Sequence, residues 1–228
     1  MLEKLLQKPV HLFDFDGLLV NTEQLHFQAY REMVEDKDET FDVDFLTFAS
    51  HAHTGSTNLK NYLLSTFDNL KGYKWEDLYA EKQERYIKLV LTGDLDFMPG
   101  AKSYVELLLD EKKKMAVVTN STKALIDAVK ERLPGLDAIP VWVTREKYQH
   151  AKPAPDAYLA GLKHFSAGAE DAIGYEDSLR GVKSVADAGI EPILICHPGH
   201  PQMSDPFLKT IPHFESFISL TEANYSQG

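Results

Sequence analysis

Apolar positions along the chain follow two alternating patterns. Short unbroken runs are bounded by charge, glycine or proline: Val10–Phe13, Met115–Thr119, Ile139–Val143, Ala172–Tyr175 and Pro192–Cys196. Runs of this length read as strands buried on both faces of a parallel sheet. Between them lie stretches in which apolar residues recur at helical spacing. These predict helices over 101–110, 123–132, 154–165 and 179–188, the last stopped by Gly189. Pro140 stands near the start of the third strand, where a proline is tolerated. The charged run Glu111–Lys114 reads as a solvated helix end.

The stretch between Asn21 and Phe97 carries no strand pattern. Thr22–Glu35 has one apolar face built from Leu25, Phe27, Tyr30, Met33 and Val34, with Thr22 as a cap, and the acidic segment 35–40 reads as a loop. Further helices are predicted over 42–50, 56–67 and 75–91. The order is therefore one strand, a helical block, then repeated helix–strand units. That order predicts an α/β fold: a Rossmann-like parallel sheet over 1–21 and 97–228, with an inserted helical domain over 22–96. Such an insertion is expected over the carboxyl ends of the strands, with hinges at Asn21–Thr22 and Asp94–Pro99.

Composition narrows the classes. The 228 residues are 43% hydrophobic and 26% charged, which is ordinary for a globular chain. The formal net charge of −11 argues against a general nucleic-acid binder. Cys196 is the one cysteine, so no internal disulfide forms, and at the end of an apolar run it reads as a small buried hydrophobe. No apolar run is long enough to span a membrane, and the start of the chain lacks a signal-peptide pattern. A cytoplasmic setting is the expectation.

Chemistry-bearing residues stand at the predicted strand ends, where open α/β sheets place their ligands. Asp14 and Asp16 follow the first strand, and two neighbouring carboxylates call for a proton or a cation. Mg²⁺, a hard ion that prefers oxygen ligands, answers this. Thr119, Asn120 and Ser121 follow the second strand, Lys152 precedes the fourth-strand unit, and Glu176 and Asp177 end the fourth strand. Carboxylates, a hydroxyl and a lysine at one edge suit a phosphate held beside a metal. In that setting Asp14 is the candidate nucleophile and Asp16 the candidate acid and base. Thr119 and Lys152 are candidates to hold the phosphoryl oxygens.

These segments, DFDGLLVNTE, VVTNS, the KPAPD around Lys152 and GYEDSLRG, together resemble the four motifs of the haloacid dehalogenase-like hydrolases. The resemblance covers nearly the whole chain. It is strongest to the branch with a small helical cap, which includes β-phosphoglucomutase and many sugar-phosphate phosphatases. It implies Asp14 as nucleophile and metal ligand, and Asp16 as acid/base with its carbonyl facing the metal. It further implies Thr119 and Asn120 as phosphate-binding, and Lys152 as the lysine that steadies nucleophile and phosphoryl group. Asp177 is implied as metal ligand, with Glu176 beside it acting directly or through water. An aspartate at position 16 separates phosphoryl transfer from the dehalogenating branch.

The cap is expected to supply substrate contacts from a loop over 50–58, with His51 and His53 as candidates. His26 resembles a histidine near the hinge of β-phosphoglucomutase. That mutase grips a second phosphate with a cap arginine, where this chain has Ser56, Thr57 and Asn58, with Lys60 just after. A polar, uncharged loop suits a hydrolase, which grips one phosphate. The leading expectation is therefore a Mg²⁺-dependent phosphatase of a small phosphorylated metabolite, monomeric or dimeric. A phosphomutase and a non-catalytic phosphoester-binding module are the alternatives. The segment HPGHP (His197–Pro201) reads as a loop.

Overall fold

The computed structural model describes residues 1–222. By contact density the chain divides into two compact units, Met1–Asn21 with Asp96–Gly228, and Thr22–Leu95.

The first unit opens with α1 (Leu2–Leu6), a five-residue helix that carries no pattern in the sequence, and β1 (Val10–Phe13). Its other strands are β2 (Lys114–Val118), β3 (Val141–Val143), β4 (Ala172–Glu176), β5 (Glu191–Ile195) and β6 (His213–Phe214). The sheet order is β3-β2-β1-β4-β5-β6 and every pair is parallel. A parallel sheet needs cover on both faces. Strand alternation sorts the side chains between them. Val10 and Leu12 join Ala116, Val118 and Ala172 in one buried cluster, with residues of α8 (Asp156–Phe165) and α9 (Leu179–Asp187). On the opposite parity, Phe13 stacks on Tyr175 with ring centroids 4.7 Å apart. Both meet Tyr104 of α6 (Ala101–Asp110) and Phe217 of α10 (Phe217–Glu222). Each side chain of this size that leaves water stabilises the fold by roughly 1.5–3 kcal/mol. The remaining helix of the unit is α7 (Lys123–Arg132), capped by Thr122.

Several boundaries differ from the sequence reading. The third strand begins at Val141, not Ile139, because 134–138 winds into a 3₁₀ turn and Pro140 has no N–H for a ladder. In the run Glu111–Lys114, α6 has already ended and Lys114 is the first residue of β2. β6 and α10 were not expected. Gly189 does follow α9 in the left-handed region, with φ of 76°.

The second unit holds α2 (Thr22–Glu35), α3 (Phe45–His53), α4 (Ser56–Thr66) and α5 (Trp75–Thr92). Tyr30, Met33, Phe41, Phe48, Leu63, Phe67 and Leu78 form its buried core. Thr22 is the first helical residue rather than the cap. The second helix starts at Phe45 because Asp44 caps it, accepting from the Thr47 N–H at 2.9 Å. It runs on to His53, so the expected loop over 50–58 shrinks to Thr54 and Gly55. Among the described residues no helix is long and apolar enough to cross a membrane.

Candidate active site

Asp14 continues the parity of Val10 and Leu12, so its carboxylate lies on the sheet face that α8 covers. Its backbone N–H still donates to the Tyr175 carbonyl at 2.9 Å, which holds it as an extension of β1. Glu176 shares a face with Ala172 and Gly174 by the same rule, and is fully buried. The chain then turns sharply at Gly17, with φ of 77° and a hydrogen bond from its N–H to the Val20 carbonyl at 2.9 Å. A left-handed residue immediately after Asp16 suits glycine.

Lys152 joins these elements. Its Nζ donates to Asp14 Oδ1 at 2.6 Å, to Glu176 Oε1 at 2.6 Å and to the Val118 carbonyl at 2.8 Å. Asp14, Lys152 and Asp177 are 8%, 6% and 6% exposed. Burial alone would pull the Lys152 ammonium down, but Asp14 and Glu176 outweigh it and its pKa is raised. Burial, then the charge of Asp14, pushes Glu176 above the ordinary carboxyl range, with Lys152 opposing.

The second strand end holds Asp16. Ser121 Oγ donates to Asp16 Oδ2 at 2.6 Å, and Thr119 Oγ1 donates to the same oxygen at 3.3 Å. The Ser121 N–H donates to Thr119 Oγ1 at 2.9 Å, which fixes the turn. Asn120 uses its side-chain carbonyl internally: Oδ1 lies 2.8 Å from the Tyr148 hydroxyl and accepts from the Lys152 N–H at 3.2 Å. Asp177 is anchored through its backbone, whose carbonyl accepts from Gln202 Nε2 at 2.6 Å. The HPGHP segment is a loop: His197 Nδ1 accepts from the Gly199 N–H at 3.0 Å, and His200 Nδ1 accepts from the Gln202 N–H at 3.2 Å.

The arrangement fits a divalent cation. One oxygen each from Asp14, Glu176 and Asp177 lie within 4.8 Å of one another, all in buried residues. Glu176 Oε2 is buried and has no hydrogen-bond partner among the described residues. A buried carboxylate oxygen left unmatched is costly. The donor set is oxygen only, which suits Mg²⁺ rather than a soft metal.

Within the second unit, the expected histidines have local partners. His53 Nε2 lies 2.5 Å from Glu23 Oε1. His51 stacks on Tyr62 at 3.9 Å. His26 stacks on Tyr86 at 3.6 Å, with Lys82 Nζ 2.5 Å from its Nδ1. Burial and the Lys82 charge hold His26 well below its ordinary value, so its imidazole is neutral. Ser121, Tyr148, Tyr158 and Gln202 are the contacts that sequence reasoning left unassigned. Ser121 lay in plain view in the VVTNS segment; the other three carry no signal without the fold.

Residues 11–195 match the haloacid dehalogenase-like hydrolase family. A phosphorylated carbohydrates phosphatase of Thermotoga maritima is 30% identical over 187 residues, covering 80% of this chain and 82% of that protein. The crystal structure of CbbY from Rhodobacter sphaeroides in complex with phosphate superposes with a TM-score of 0.70 at 23% identity, over 93% of this chain and 96% of that one. The β-phosphoglucomutase of Clostridium difficile also gives 0.70, at 20% identity, over 96% of each chain.

Proposed function

The chain belongs to the haloacid dehalogenase-like hydrolase family and to its phosphatase branch, and on that footing we propose that it is a Mg²⁺-dependent phosphatase that acts through an aspartyl-phosphate on Asp14. Its substrate is a small phosphorylated metabolite, a phosphorylated carbohydrate foremost. One observation carries the reading: Lys152 bridges Asp14 and Glu176 at 2.6 Å each, beside Asp177.

Asp14, Asp177 and the Asp16 carbonyl would hold the ion, with Glu176 acting directly or through water. When bound, Mg²⁺ lowers the repulsion between the carboxylates and the phosphate dianion. The rest falls to the chain. A carboxylate oxygen of Asp14 attacks phosphorus as the ester P–O bond breaks, and Asp16 delivers a proton to the leaving oxygen. Asp16 then takes a proton from water, whose oxygen attacks the phosphoryl group and frees Asp14. Thr119 and Ser121 hold the Asp16 carboxylate by its Oδ2 in the resting arrangement. Substrate selection is assigned to the helical unit 22–95, with His26, His51 and His53 as candidates. The uncharged segment Ser56–Asn58 favours hydrolysis over mutase chemistry, which needs a second phosphate grip.

A panel of phosphorylated metabolites, assayed for free phosphate with Mg²⁺ and with chelator, tests this. Mg²⁺-dependent release from carbohydrate phosphates is expected. Isomerised product without free phosphate would move the reading to a phosphomutase, and binding without turnover would end it.

A further inference from the structure

Tyr158 lies on α8, six residues beyond Lys152, with its ring fully buried. By its helical position it is an ordinary core residue. Its hydroxyl is not: it donates to Glu176 Oε1 at 2.7 Å, the oxygen that Lys152 reaches at 2.6 Å. The Lys152 ammonium stands over the Tyr158 ring, 4.8 Å from its centroid.

A lysine ammonium has three N–H donors. Here Asp14 Oδ1, Glu176 Oε1 and the Val118 carbonyl take all of them at 2.6–2.8 Å, and the Tyr158 hydroxyl oxygen is a longer fourth contact at 3.4 Å. A phosphoryl oxygen therefore gains a bond from Lys152 only when one of these three releases its proton. The Val118 carbonyl is fixed at the end of β2, and Lys152 is its side-chain donor among the described residues. Asp14 gives up negative charge as it bonds to phosphorus, but Lys152 must stay on it until then. Among the described residues, Glu176 is the one of the three with a second side-chain donor to the same oxygen, the Tyr158 hydroxyl.

We propose that Tyr158 is a positioning residue for phosphoryl transfer: its hydroxyl keeps Glu176 in place while Lys152 turns an N–H from Glu176 to the phosphoryl group. The proposal rests on the phosphatase reading. A phenol hydroxyl is an ordinary donor at neutral pH, so it can hold the carboxylate throughout. Without that hydroxyl, Lys152 would be the one donor left to a buried carboxylate oxygen and would stay tethered to it.

The test is a cycle of Tyr158→Phe, Glu176→Gln and the double variant. It is read by kcat and KM for the best substrate of the panel, by Mg²⁺ calorimetry without substrate, and by melting temperature. Tyr158→Phe is expected to lower kcat about 10- to 100-fold, the factor a hydrogen bond to a charged group is worth, with KM within about twofold. Resting Mg²⁺ affinity should hold within about threefold, because Lys152 still holds Glu176 Oε1 at 2.6 Å in the absence of substrate. In the Glu176→Gln background the further loss should be under about twofold. Tyr158→4-aminophenylalanine keeps a para donor and should restore most of the kcat, which also covers a Phe variant that folds poorly. The proposal is overturned by a kcat within twofold of wild type, by an equal loss in both backgrounds, by an effect confined to KM, or by failure of the amino variant to restore turnover. Wild-type enzyme that releases no phosphate from the panel refutes the phosphatase reading and the proposal with it, whereas active wild type with an indifferent Tyr158→Phe refutes the proposal alone.

Discussion

Replacing Lys152 by methionine removes the ammonium and keeps a flexible side chain of similar length. Asp14 Oδ1 and the Val118 carbonyl lose the Lys152 donor, and Glu176 Oε1 loses its cationic partner and keeps the uncharged Tyr158 hydroxyl. With Asp14 8% exposed and Glu176 fully buried, water does not replace the ammonium. Breaking a buried ion pair by removing one partner costs about 3–5 kcal/mol. Two carboxylates are stranded here, so the upper part of that range is expected at about pH 8 with chelator present. The pH dependence has a definite sign. Burial and the Asp14 charge already raise Glu176 against the pull of Lys152, and without the lysine it rises further. A carboxyl group with a higher pKa folded than unfolded binds more protons in the native state, so stability falls as pH climbs through that interval. In the wild type Glu176 is already raised to about 7, so both proteins lose stability alike below that pH and the deficit of Lys152→Met grows as pH climbs above about 7. Urea unfolding measures it, in a Trp75→Phe background where Trp142 on β3 reports the sheet unit alone. A loss below about 1 kcal/mol, the range of exposed pairs, or a deficit larger in acid, would refute the reasoning.

Gly181→Ala is expected to destabilise by about 1–3 kcal/mol, as overpacking does, and to weaken Mg²⁺ binding by calorimetry. A Cβ there would lie 1.7 Å from Glu176 Oε2, and that carboxylate is locked by Lys152 and Tyr158. Asp16→Asn should slow phosphate release and let phospho-enzyme accumulate, detectable by intact-mass spectrometry after mixing with substrate; unchanged turnover would count against its acid/base role. His11 should make the first unit acid-sensitive. Burial lowers its pKa from 6.5 to about 4, with the Lys8 carbonyl bond opposing. The unfolded chain then binds the extra proton first, so stability present above 6.5 drains by about 3 kcal/mol as pH falls through about 4. Urea titrations of wild type and His11→Asn should differ in slope across that window.

The parts of the fold legible in the sequence were those whose signal is local. The β1 run, the α6 and α7 boundaries and the Gly189 stop each follow from spacing or a single backbone preference. β6 was not legible: two residues paired with β5 at the sheet edge leave no apolar run to read. β3 was overextended because the apolar residue Ile139 belongs to a 3₁₀ exit rather than to the ladder. The candidate site shows the same division. Asp14, Asp16 and Glu176 could be placed at strand ends from sequence, because carboxylates there interrupt apolar runs. Tyr158 could not, since a tyrosine on an apolar helix face is indistinguishable from packing until β4 brings Glu176 to its hydroxyl. His51 and His53 were placed in a loop over 50–58, and the Asp44 cap that starts their helix lies outside that segment.

The most direct measurement is the position of the phosphoryl group during turnover. Wild-type enzyme mixed with Mg²⁺ and its best substrate, acid-quenched within one turnover and digested for mass spectrometry, should carry phosphate on Asp14 within the peptide that spans β1. Phosphate on another residue, or steady release with no phosphoryl-enzyme at any quench time, would contradict the account.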